Sequence, residues 1–254
     1  IRNTQRVKKI IKDFDVIIPL AGLVGAPLCE KFKKRTTETN YKAIKELIDN
    51  KKNDQKIIYL NSNSGYGIGK KDAFCDENSP MNPISLYGLT KANAEKDVLK
   101  SNNFIVFRLA TVFGVSYRMR PELLVNNFTY NAFKYKKLSI YEPNFRRNFI
   151  HVRDVAQCIL FALKNFQKLK NNVFNLGLSS ANLTKIDLAK NVKKFIKETK
   201  ITVFNNKKDP DQRDYFVSNK KIEANGFKAK ITLDEGIREL VEYYKLNKIN
   251  KANY

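Results

Sequence analysis

The sequence predicts an α/β protein built on a doubly wound parallel sheet, and three observations carry that prediction. Short runs at 15–20 (DVIIPL), 56–60 (KIIYL) and 104–109 are continuously apolar, as strands covered on both faces must be. Segments of helical period separate them, so strand and helix alternate as in crossover units. Finally, 254 residues with 43% hydrophobic and 11% aromatic content suffice to bury a large core.

Taken in order, 5–12 reads as the end of an amphipathic helix, and 15–20 as the first strand. AGLVGAP comes next, a small-residue turn where backbone can approach a ligand closely. A helix is expected over 36–50, a strand over 56–60, a Ser- and Gly-rich loop, a helix over 86–100 and a strand over 104–109. From Arg118 the pattern changes. PELLVNNFTYNAFKYKK reads as an amphipathic helix, 138–141 as a short strand, and RRNFIHVRDVAQCILFALKN as a strand running into a helix. Thr184-x-x-Asp187 and Thr232-x-x-Glu235 open helices as capping boxes. Gly226 marks a helix stop, the last helix spans 233–244, and KLNKINKANY frays. Residues 1–115 are expected to form one domain and 116–254 mainly a smaller α/β lobe, with some segments returning to the first sheet.

Composition excludes several classes. No apolar run reaches the ~18 residues of a membrane span, and IRNTQRVKKIIKD lacks the apolar region of a signal peptide. Cys29, Cys75 and Cys158 are odd in number and widely spaced, which fits a reducing compartment and hence the cytoplasm. His151 is the only histidine and has no Cys, His or acidic cluster around it, so no metal site is expected. It reads as a structural residue at a strand–helix junction. The formal charge of +23 suggests polyanionic partners, yet the lysines are scattered along the helices. Compositional drift of the source accounts better for most of this charge, and nucleic acid is not the expected partner.

The chemistry concentrates between Ser62 and Lys91. Tyr87 and Lys91 stand four apart on one helix and share a face. An ammonium there would lower the phenol pKa from about 10 toward neutrality, making Tyr87 a base for an alcohol proton. Ser62, just past a strand, could share that proton. Y-x-x-x-K by itself is more often a packing ring with a solvated neighbour; the preceding strand, the Ser-rich loop and P-x-S-x-Y-G-x-x-K raise the catalytic reading. Ser64-Gly65-Tyr66-Gly67-Ile68-Gly69-Lys70 imitates a phosphate loop. The adjoining KDAFCDENSP is turn-rich rather than helical, so this stretch reads as a flexible substrate-side loop or a plain connection.

With these motifs the chain resembles the extended short-chain dehydrogenases/reductases, the nucleotide-sugar epimerases and dehydratases, over nearly its whole length. There a Ser or Thr sits four residues before a Tyr-Gly pair, as Ser62 does before Tyr66-Gly67. The resemblance implies a Rossmann-like sheet that is N-terminally incomplete. The G-x-x-G-x-x-G turn and the ribose-binding acid have no counterpart, so little turnover is expected of these 254 residues alone. It implies NAD, rather than NADP, lying along Leu20, Ala21 and Gly22. Asn40 matches an Asn that orients backbone near the active site; otherwise it is an ordinary helix-surface amide. Ser62, Tyr87 and Lys91 become the catalytic set, with Tyr87 and Lys91 also contacting the cofactor. Arg147, four residues before His151, and Arg213, in DPDQRD, match residues that grip the substrate diphosphate. Asn126 or Asn127 matches a phosphate-contacting amide. A homodimer is the family habit. Dehydratases carry Asp-Glu directly after the catalytic Ser or Thr; here Asn63 and Ser64 stand there, which disfavours 4,6-dehydration. IIPLAGLVGAPLC, NSGYGIG, RLATVFG and RRNFIHVRDVA look most like a bacterial branch resembling GDP-heptose 4-dehydrogenases, which serve surface polysaccharides. The alternatives are an NAD-sensing regulator, which typically loses the Tyr or Lys, and a nucleic-acid binder, which would gather Arg and aromatics on one face.

Overall fold

The computed structural model describes residues 1–70, 73–204 and 212–247. The chain opens with α1 (Thr4–Ile10), β1 (Val16–Ile17), α2 (Ala26–Lys31), α3 (Lys33–Thr37) and α4 (Ala43–Asn50). It continues through β2 (Lys56–Ser62), β3 (Phe74–Cys75), α5 (Leu86–Leu99), β4 (Phe104–Leu109) and β5 (Thr111–Phe113). Then come α6 (Leu124–Tyr135), β6 (Lys137–Tyr141), β7 (Arg146–His151), α7 (Val152–Lys164), α8 (Phe166–Leu169) and β8 (Asn172–Leu176). The last elements are β9 (Asn182–Thr184), α9 (Lys185–Phe195), β10 (Lys200–Phe204), β11 (Phe216–Val217), α10 (Lys220–Ala224) and α11 (Leu233–Leu246).

The main sheet is parallel throughout, in the order β1-β2-β4-β8. Ile57, Ile58 and Tyr59 on β2 and Phe104 to Phe107 on β4 are buried, which explains their unbroken hydrophobicity. One face packs on α4 and α5 through Ile44, Leu47, Ala94 and Val98. The larger core lies on the other side and extends under α6, α7, α9 and α11. β8 belongs to the chain's second half, yet it completes this sheet. Around it stand β5-β7-β9, with β5 and β7 parallel, and the two-stranded pairs β6–β10 and β3–β11. Both capping boxes form, at Thr184–Asp187 and Thr232–Glu235, and Gly226 has φ +107° just past α10.

Three local expectations change. β1 covers two residues rather than six, because it pairs with β2 alone and Pro19 offers no N–H to prolong a ladder. The helix expected over 36–50 is α3 and α4 joined by a π turn, Glu38–Lys42, which contains Asn40. The glycine stretch begins in regular structure: Asn63–Tyr66 form a buried 3₁₀ turn. Gly69 N–H donates to the Asp214 carbonyl at 2.7 Å, and Asp214 N–H to that of Gly67 at 3.2 Å. Lys71 and Asp72 of the adjoining loop, Asp209 to Asp211 of DPDQRD, and the tail from residue 248 fall outside the described residues.

Candidate active site

In a parallel sheet the ligand crevice opens beyond the carboxyl ends of the strands. A cleft of about 280 Å³ lies there, bounded by the segments that come after β1, β2 and β4. Leu20, Ala21 and Gly22 line it on one side, Ser62, Tyr87 and Lys91 form its floor, and Arg213 faces it from the chain's second half. Residues 1–115 and the later segments therefore build one site together.

Helix α5 delivers the phenol and the amine. Its N-cap is Ser85, whose Oγ accepts from Gly88 N–H at 3.2 Å. The helix start sits hard against the turn after β2: a Cβ on Gly88 would come within 2.9 Å of the Ser64 carbonyl. This close approach sets Tyr87 beside Ser62 at the cleft, near enough for the Ser62 hydroxyl to pull the phenol pKa down. Ser62 Oγ is also 2.8 Å from Ser64 Oγ, and Arg213 Nη1 donates to that second hydroxyl. Two linked hydroxyls thus connect Arg213 to Ser62, beside the phenol.

The electrostatics differ from the sequence expectation. Burial raises the Tyr87 pKa, opposed by the hydrogen bond with Ser62 and by the Arg213 charge. Lys91 bears the larger desolvation cost: burial pulls its pKa down to about 7, against the attraction of Glu95. Its Nζ donates to the Leu60 carbonyl at 2.6 Å and lies 4.2 Å from the Tyr59 ring centroid. A lysine whose own pKa is pulled down carries less charge with which to lower that of Tyr87. The downward direction also sets a pH dependence. The folded protein binds fewer protons at Lys91 than the unfolded chain between about 7 and the ordinary value of 10.5, so this site's contribution to stability rises with pH across that window. Lys91→Met should therefore stabilise the fold most below pH 7, with the gain fading toward pH 10.5, as read from urea melts at several pH values. A gain independent of pH would contradict the assignment.

Asn40 holds the loop after β1. Its Oδ1 accepts from Leu23 N–H at 2.8 Å and its Nδ2 donates to the Leu23 carbonyl at 2.7 Å. A helix-surface amide it is not: it is buried, within the π turn, a helix irregularity often found at functional sites. Gly22 passes so close that a Cβ would stand 3.2 Å from Asn40 Oδ1. This tightly held loop of small residues suits a flat cofactor. Lys91 has three ammonium donors, of which one goes to Leu60, leaving donors for a ligand hydroxyl.

Three expected phosphate ligands make other contacts. Asn126 is buried and its side chain bonds to backbone, accepting from Gly114 N–H and donating to the Arg120 carbonyl, both at 3.0 Å. Asn127 accepts from Asn131 on its own helix at 2.9 Å. Arg147 is 3% exposed on β7, with its guanidinium 5.8 Å from the ring centroid of Tyr215, a residue that does line the cleft. None of the three lines that cleft. His151 caps α7, its Nδ1 accepting from Arg153 N–H at 3.2 Å. Among the described residues no group of three or more His, Cys, Asp or Glu could hold a metal, and no helix is long and apolar enough to cross a membrane.

Sequence reasoning missed Thr111, Val112 and Arg120 in the cleft wall. It also missed a buried network beneath the floor. Glu95, 3% exposed, pairs with Arg108, 5% exposed, through bonds of 2.6, 3.1 and 3.2 Å. Asn61 Nδ2 donates to the same carboxylate, and Arg108 donates to Tyr66 Oη at 2.9 Å.

Residues 1–177 match the model of the NAD dependent epimerase/dehydratase family. The chain is a member of that family. Among curated relatives, the mouse dTDP-D-glucose 4,6-dehydratase is 28% identical over 213 residues, covering 78% of this chain and 58% of that protein. A putative UDP-glucose 4-epimerase of Methanocaldococcus jannaschii is 28% identical over 202 residues, covering 76% and 64% respectively. The chain thus spans roughly three-fifths of the curated relatives it matches. Among solved structures, the NAD complex of Bacillus anthracis dTDP-glucose 4,6-dehydratase superposes with a TM-score of 0.81 at 23% identity, covering 97% of this chain and 78% of that one. Thermotoga maritima UDP-glucose 4-epimerase with UDP-glucose gives 0.83 at 22%, covering 96% and 82%. These superpositions establish the Rossmann-like fold.

Proposed function

We propose that this protein is an NAD-dependent nucleotide-sugar oxidoreductase or 4-epimerase, moving a hydride at C4 of a nucleotide-diphosphate hexose or a GDP-heptose. The observation that carries the reading is the convergence of Ser62, Tyr87 and Lys91 on one cleft that Arg213 also faces. Bound NAD would supply the hydride acceptor, held by the loop at Leu20, Ala21 and Gly22, by Asn40 behind it, and by Lys91. Ser62 holds the carbinol oxygen and Tyr87 Oη takes its proton. Arg213 draws the diphosphate toward the cleft and favours the phenolate through its charge. For oxidation the balance is complete: one C–H bond gives up a hydride, one O–H bond gives its proton to Tyr87, and a C=O bond forms.

Dehydration is disfavoured, since Asn63 and Ser64 come directly after Ser62 and neither can act as a carboxyl acid or base. The same reading makes the protein a cytoplasmic homodimer that prepares sugars for surface polysaccharides. To test it, the protein is expressed with whatever coding sequence lies upstream of Ile1 and incubated with NAD and UDP-, dTDP- and GDP-sugars. NMR should then find a 4-keto sugar or the inverted alcohol. A 6-deoxy product would refute the exclusion of dehydration, and failure to bind or convert any nucleotide sugar would refute the function.

A further inference from the structure

Arg120 lines the same cleft as Tyr87, Lys91 and Arg213, and the reaction above gives it no task. Its side chain is 30% exposed and pairs with Glu122, whose side chain is 35% exposed. Both charges keep contact with water, so the pair is weak and readily exchanged. The backbone beneath is anchored. Asn126, 1% exposed, donates from Nδ2 to the Arg120 carbonyl at 3.0 Å while its Oδ1 is held by Gly114 N–H. Leu123 N–H donates to the same carbonyl at 3.2 Å. A long cationic side chain therefore swings from a fixed point at the wall of an anion-directed cleft.

We infer that Arg120 is a second diphosphate-binding residue, which exchanges Glu122 for a phosphate oxygen when the nucleotide sugar enters, with Asn126 positioning it. This rests on the nucleotide-sugar reading of the site. Each phosphate of a nucleotide-diphosphate sugar carries a negative charge, and Arg213 supplies one guanidinium; Arg120 supplies another whose planar fork matches phosphate oxygens. In the empty cleft Glu122 offsets the repulsion that Arg120 would otherwise feel from Arg213 and Lys91. Asn126 thereby serves the phosphates indirectly, by fixing the main chain of the residue that meets them.

The test is calorimetric titration of the chain with UDP-glucose, dTDP-glucose and GDP-mannose, which requires no turnover. Arg120→Ala should weaken the tightest of these by about 10–100-fold, the usual consequence of losing a hydrogen bond between charged groups. Arg120→Lys should recover only part, because an ammonium lacks the fork. Glu122→Gln should tighten binding by a few-fold, about the strength of an exposed ion pair. Opposite signs for two adjacent partners are the signature; a residue that merely braces the loop would move both variants the same way. Unchanged affinity in Arg120→Ala, with binding lost in Arg213→Ala, would overturn this inference and leave the nucleotide-sugar function standing. No binding of any of the three by the unaltered chain would overturn both.

Discussion

Tyr87→Phe is expected to lower turnover by about 10²–10⁴-fold, the range for removal of a positioned acid–base group. The substitution deletes one oxygen and keeps the ring in place on α5, so nucleotide-sugar affinity should change little. Loss of rate without loss of binding identifies a group that acts on the reacting atoms. The pH profile makes the test sharper. Burial holds the Tyr87 phenol above its ordinary value, while Ser62 and Arg213 pull it back down. The rate should therefore climb with pH as the phenol ionises, and Ser62→Ala or Arg213→Ala should move that rising limb to higher pH. Activity would be monitored by NADH absorbance across the range. A Tyr87→Phe protein that turns over within about threefold of the unaltered one, an outcome far outside the expected range, would remove Tyr87 from the reaction.

The meeting of Ser62, Tyr87 and Lys91 at one cleft was legible because its geometry is local. Ser62 ends a strand, and Tyr87 and Lys91 are one turn apart on the next helix, so spacing alone orients them. Asn40 was legible as a residue that holds backbone, although its π turn was not, since a π turn leaves no mark in an apolar pattern. What escaped is nonlocal. Arg120 reaches the cleft because the chain doubles back after β5 through a loop tied down by Asn126. Arg147 was expected at the phosphates on motif position; its guanidinium lies 5.8 Å from the ring centroid of Tyr215, 68 residues later, and it is not among the residues that line the cleft. The electrostatics of Tyr87 and Lys91 are nonlocal for a related reason. Helical spacing shows that an amine is near, whereas its charge state depends on how much water the whole fold leaves around it.

Glu95 is the clearest case of a residue that sequence presents as a solvated charge and the fold makes structural. Glu95→Ala is expected to cost about 3–5 kcal/mol, because it strands the Arg108 guanidinium in the interior without its counter-charge. It also strips the Asn61 amide of its acceptor. At an m-value of about 3 kcal/mol/M this lowers the urea midpoint by about 1–2 M. Asp49→Ala, which breaks the exposed Lys45–Asp49 pair, is the control and should leave the midpoint almost unmoved. Replacing both partners, Glu95→Leu with Arg108→Met, should cost less than the two single changes added together, since no uncompensated charge remains. Asn61 directly precedes Ser62, and Glu95 lies one turn beyond Lys91, so the pair grips the strand end and the helix that present Ser62, Tyr87 and Lys91 to the cleft. If Glu95→Ala shifted the midpoint no more than Asp49→Ala, the buried network would not be what fixes Ser62 against Tyr87, and the close approach of Gly88 to Ser64 would have to do so alone.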